Sequence, residues 1–162
     1  MHGIKKFIFQ SIALLIIISA AIYIYTSGNI NLSNPFQKET RKQLQIGNSI
    51  LKVEIADTDS KRIKGLGGKD SLATDEGMLF VYQSEGKYSY WMKGLNFPLD
   101  FIWINGEKVV DILTNAPPPA KGQKDETLTI YKPVSPVDKV LEVNYGVVDR
   151  LQIKVGDTVK LN

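Results

Sequence analysis

The dipeptide Asn105-Gly106 stands between two apolar runs, LDFIWI and KVVDIL. The tightest hairpin turn needs positive φ at both central residues, which asparagine and glycine tolerate and β-branched residues do not. This pairing therefore predicts two antiparallel strands joined by a two-residue turn. Gly47-Asn48 repeats the signal inside KQLQIGNSILKVEIA. Further short apolar runs are EGMLFVY, YSYWM (reached through the turn QSEG), LTIYK, VLEVN, LQIKV and DTVKLN. Asp57, Thr58 or Asp59 can cap a short helix that ends at Gly65, and GVVDRL can form one helical turn. The three successive prolines of APPPAKGQKDE exclude a central strand and predict an exposed, stiff loop. About nine short strands with no long amphipathic helix between them predict a mainly β domain. The expected architecture over residues 42–162 is a compact antiparallel β-sandwich or partly closed barrel with one or two short helices.

A different solvent is implied for the N-terminus. FIFQSIALLIIISAAIYIY, residues 7–25, has no charge. As a helix it spans about 28 Å at ~1.5 Å per residue, close to the ~30 Å hydrocarbon core of a bilayer. Lys5 and Lys6 precede the run, and no charge follows before Lys38. The positive-inside rule then leaves residues 1–6 in the cytoplasm and carries the C-terminal domain outside, with Tyr23 and Tyr25 at the outer interface. Residues 26–41 are polar and include Gly28, Asn34 and Pro35, a composition suited to a flexible tether. The expected location is thus a single-pass anchor in the cell membrane. The alternative is secretion after cleavage of a signal peptide near Ser19 and Ala21.

Residue types narrow the chemistry. The chain has no cysteine, and its one histidine is His2. Thiol nucleophiles, disulfides, thiolate-bound metals and a histidine-dependent triad are excluded from the domain. No metal or cofactor is expected. Setting Lys5 and Lys6 aside leaves 18 basic against 17 acidic residues, so there is no excess of positive charge for nucleic acid.

The greasiest part of the domain, YSYWMKGLNFPLDFIWING, holds two charges, Lys93 and Asp100. A carboxylate among apolar residues needs hydrogen bonds or a cation. The loop GLNFP can bring Lys93 near Asp100, and the backbone N–H groups of Gly94, Leu95 or Asn96 can also reach it. Asp100 then either staples its own loop, shielded by Lys93, or lines a ligand pocket together with Lys93, Trp91 and Glu142. In VLEVN, Glu142 alternates with apolar neighbours, the pattern of a solvent face on an edge strand. Trp91 and Met92 face opposite ways in an extended chain, with Met92 the one suited to the core.

Six segments in this order, GLGG, EGMLFVY, YWMKGLNFPLDFIWI, APPP, VLEVNYG and VGDTV, resemble the domain-of-unknown-function family numbered 192. The resemblance covers about residues 50–162. It implies a compact, mostly β domain, often behind a signal peptide or anchor, and implies no activity. It also favours grouping Glu142 with Lys93 and Asp100 in a polar cluster. Gly67 departs from the pattern, since many relatives have methionine there. Two functions are therefore expected. One is a non-enzymatic binding module for a small polar ligand, a glycan or an envelope protein. The other is a glycosidase-like hydrolase using Asp100 and Glu142, whose carboxylates must then lie ~5–5.5 or ~6.5–9.5 Å apart.

Overall fold

The computed structural model describes residues 41–162, together with Ile18, Ser19 and Tyr23. Apart from these three positions and Arg41, the expected anchor (7–25) and tether (26–41) lie outside the described residues.

Seven strands form one curled sheet, a half-barrel. They are β1 (Lys42–Ile46), β2 (Ser49–Ala56), β3 (Glu76–Gly86), β4 (Leu99–Asn105), β5 (Lys108–Ala116), β6 (Val137–Asn144) and β7 (Val159–Leu161). Their order is β5-β4-β6-β3-β2-β1-β7. Both hairpins form, with Ile46 paired to Ser49 around Gly47-Asn48 as expected, whereas Asn105 itself pairs with Lys108 and shifts the second turn by one residue to Gly106-Glu107. Gly47 and Gly106, the first central residues, have positive φ, 54° and 57°, while Asn48 and Glu107 do not, so each turn needs its glycine at one position only and not positive φ at both. At one end the sheet nearly closes. Lys108 bridges to Thr158, and Val159 N donates to Glu107 O at 2.9 Å.

The sheet is not wholly antiparallel, as the sequence predicts it to be. β2 and β3 run parallel, from Lys52 opposite Glu76 to Ala56 opposite Phe80. A parallel pair needs a crossover, and here it contains helix α1 (Asp59–Lys64). Thr58 caps α1 by accepting from Lys61 N, and the helix ends at Gly65 (φ 50°). Both positions match the capping signals in the sequence. Helix α2 (Val147–Leu151) is the turn foreseen in GVVDRL. Other runs depart from expectation. QSEG continues β3 instead of turning, and YSYWM and LTIYK contribute only one bridge, Tyr90 to Tyr131. Tyr88, Tyr90, Met92 and Tyr131 pack on the sheet face, so burial rather than strand pairing accounts for the apolar character of these four positions, while Trp91 and Ile130 stay exposed.

Strand alternation builds two cores on opposite faces. The first draws on all seven strands, with Leu44, Val53, Leu79, Ile102, Leu141 and Val143 among its members, and is joined by Val147 and Val148 of α2. The second contains Phe80, Phe101, Trp103 and Val140, and is covered by Leu66, Tyr90, Met92 and Leu95 from the connecting segments. Tyr90 meets Phe80, Phe101 and Trp103 edge-on, with ring centroids 5.1–5.7 Å apart.

Gly77 shows how tightly β3 and β6 approach. A Cβ at that position would lie 2.8 Å from Glu142 O and 3.1 Å from side-chain carbons of Leu141 and Val143. Gly77→Ala is expected to force the strands apart and to cost about 1–3 kcal/mol. Urea denaturation checks this, and an unchanged midpoint would refute it.

Candidate functional site

Asp100 is fully buried, and its carboxylate is spent on backbone. Oδ1 accepts from Asn115 N at 2.9 Å, while Oδ2 accepts from Gly146 N at 3.0 Å and Val148 N at 3.2 Å. Asn115 and Gly146 both have positive φ, 58° and 84°. One carboxylate thus pins the end of β5 and the start of α2 at two points where the chain turns through positive φ, a region open to glycine and, at single positions, to asparagine. The staple is real, but its partners are not those expected from the loop. Lys93 instead pairs with Asp125, Nζ to Oδ2 2.5 Å.

Glu142 lies elsewhere. It sits in β6 between β3 and β4, opposite Met78 on one side and Phe101 on the other. An interior strand, with the opposite face filled by Leu141 and Val143, explains why Glu142 is only 4% exposed rather than on a solvent face. Asp100 shares a face with Ile102 and Ile104, and Glu142 shares the other with Val140. The sheet itself separates the two carboxylates. They cannot flank one scissile bond, and the two-carboxylate hydrolase is not assembled.

The Glu142 side chain opens on a cavity of about 100 Å³. It makes no hydrogen bond or ion pair with the described residues. Burial alone pushes its carboxyl up to about 8, since no neighbouring cation offsets the loss of water. Phe80, Tyr82 and Tyr90 form the aromatic wall, and Leu66 and Leu95 an aliphatic one. The hydroxyls of Tyr82 and Tyr90 lie 2.7 Å apart. Burial raises both phenols, and the proximity of Tyr82 raises Tyr90 further.

The mouth is formed by Arg62, Ile63, Lys64, Trp91 and Lys93. Arg62 donates to Val81 O at 2.7 Å and to Asp59 Oδ1 at 2.6 Å, and its guanidinium carbon lies 5.2 Å from the centre of the Tyr82 ring. Trp91 is 54% exposed while Met92 is buried, the opposite facing expected of neighbours in an extended chain. Gly68 N donates to Gly94 O at 3.1 Å, tying the segment after α1 to the segment after Lys93. In this way GLGG and WMKGL, distant in sequence, meet at one opening. Trp91, Lys93 and Glu142 line the same pocket, whereas Asp100 does not. Sequence reasoning missed Arg62, Tyr82 and Tyr90. The one local hint was Arg62, three residues before the glycine that ends α1.

Two solved structures are similar in fold and sequence. One, from Sinorhizobium meliloti 1021 and described as a candidate transcription regulator, is 30% identical with a TM-score of 0.67. The match covers 75% of this chain and 93% of that one. The other, a protein of unknown function from Novosphingobium aromaticivorans DSM 12444, is 28% identical with a TM-score of 0.68. That match covers 78% of this chain and 89% of the other. No curated protein matches the chain. The DUF192 family, described as "Uncharacterized ACR", matches residues 41–161, and the chain belongs to it.

Proposed function

We propose that the domain is a non-enzymatic binding module, held outside the cell membrane by residues 7–25, and that its ligand site is the Glu142 pocket. The observation that carries the site is the Glu142 carboxyl, 4% exposed and without a hydrogen-bond or ion-pair partner among the described residues, at a small cavity. Its oxygens keep some contact with solvent through the opening, and a polar group from outside can take the place of that water as their partner. A small polar molecule or the end of a glycan fits a cavity of this size, with Trp91 as a flat surface beside it. The regulator description of the Sinorhizobium protein is not carried to this chain. Its near balance of 18 basic and 17 acidic residues beyond Lys6 gives no broad surface for phosphate.

Thermal and chemical denaturation against neutral sugars, amines, organic acids and nucleotides tests the reading. A ligand at 100 times its Kd is expected to stabilise the domain by ~2.7 kcal/mol. The gain should be lost in Glu142→Leu, which fills the site with an apolar side chain. If no compound stabilises the domain in a Glu142-dependent way, the pocket is not a small-ligand site.

A further inference from the structure

We infer that the pocket takes the anionic head of an organic acid, bound together with one proton, with the body of the ligand lying against Trp91. This rests on the Glu142 pocket being a ligand site. Three observations lead to the ligand class.

The first is the charge of the lining. Arg62, Lys64 and Lys93 surround the opening, and Glu142 is the one acidic side chain among the lining residues. The carboxylates that hold Arg62 and Lys93 face water: the side chain of Asp59 is 91% exposed and that of Asp125 62% exposed. Exposed pairs of this kind are worth little, so an incoming anion can replace them without a large loss. A cationic ligand would have to pass all three positive side chains.

The second is the state of Glu142. The titratable and charged groups near it are the Tyr82 and Tyr90 hydroxyls from β3 and the segment after it, Arg62 and Lys64 from α1, and Lys93 from the loop before β4. On its own face Met78 and Phe101 flank it, and Glu54, next in the row beyond Met78, is ion-paired to Lys69 at 2.7 Å. None of these draws the proton from Glu142, whose carboxyl stays protonated up to about pH 8. It can therefore donate an O–H to an anion at the bottom of the cavity, while the cations at the mouth balance the charge. An ionised Glu142 would instead repel that anion.

The third is the shape of the site. A cavity of about 100 Å³ admits a carboxylate with a few adjoining atoms but not a whole sugar or a substituted aromatic ring, so the rest of such a ligand lies at the mouth. Trp91, 54% exposed, and Ile63, 85% exposed, offer the apolar surface there. A sugar ring and an aromatic ring both fit such a face.

The test is calorimetric titration of the intact domain with D-glucuronate, D-glucose and benzoate between pH 6.5 and 9.5. Glucuronate or benzoate is expected to bind more tightly than glucose. Which of the two binds better tells a sugar acid from an aromatic acid. The affinity should fall by about tenfold per pH unit above about 8, because ionised Glu142 must regain a proton. Glu142→Gln keeps an N–H donor and should still bind the acid, but with a flat pH profile. Lys93→Met should weaken the acid and leave glucose unchanged. Affinity that rises with pH, equal binding of glucose and glucuronate, or preference for an amine such as glucosamine overturns the inference and leaves the pocket a ligand site. If no small molecule binds in a Glu142-dependent way, the pocket reading falls with it.

Discussion

Asp100→Ala is expected to remove about 3–9 kcal/mol from the domain, because three backbone N–H groups lose a charged acceptor and each buried, unsatisfied donor costs ~1–3 kcal/mol. Small domains have only ~5–15 kcal/mol of stability in total, so much of the protein should be unfolded at 37 °C. The damage should be local in origin. Asn115 and Gly146 hold positive φ around the carboxylate, and α2 begins at the same oxygen that receives Val148 N. Asp100→Asn keeps one acceptor oxygen and should lose less. Urea denaturation measures both. A double-mutant cycle with Lys93→Met should show coupling below ~0.5 kcal/mol, since the two side chains have separate partners. A larger coupling, or an Asp100→Ala protein as stable as the parent, would contradict the backbone staple.

The other large effect depends on pH. Folding lifts the Glu142 carboxyl from 4.5 to about 8, so between these values the folded protein keeps a proton that the unfolded chain has released. Stability must then fall as pH rises through this window, and above about 8 the charged carboxylate is buried at full cost. At 1.36 kcal/mol per pKa unit the fall is roughly 5 kcal/mol. Glu142→Gln has no such titration. At pH 4 the parent and variant should be similar, and at pH 9 the variant should be the more stable by several kcal/mol. Denaturant midpoints measured from pH 4 to 9 check this. A constant difference across the range would mean that Glu142 finds water or a partner when charged.

These two carboxylates mark what the sequence could and could not disclose. Asp100 was legible as a buried group needing satisfaction, because LDFIWI is apolar on both faces. Its donors were not, since Asn115, Gly146 and Val148 come from other strands and turns. Glu142 was harder. Alternation in VLEVN reports that two faces differ, not what covers each one. The cover over Glu142 comes from the segments after α1 and after Tyr88, which carry no strand pattern. The hairpin at Gly47-Asn48, the hairpin after β4 to within one residue, and the cap at Thr58 were legible because a few adjacent residues determine them. The parallel pairing of β2 with β3 was not. It follows from where the chain re-enters the sheet, a choice made by packing at long range. The same applies to Trp91, Lys93 and Glu142, whose meeting at one pocket depends on the tie between Gly68 and Gly94.

The bridge between Lys108 and Thr158 has a consequence for how the domain comes into being. β1 pairs early with β2, yet its other edge is covered only by β7, and β7 is also the element that brings Thr158 to β5. During synthesis the β1 margin therefore has no pairing strand among the described residues until β7 has emerged. Contacts so far apart in sequence form slowly. A strand only three residues long thus covers β1, while β5 beyond its first residues remains, among the described residues, an unpaired margin in the finished sheet.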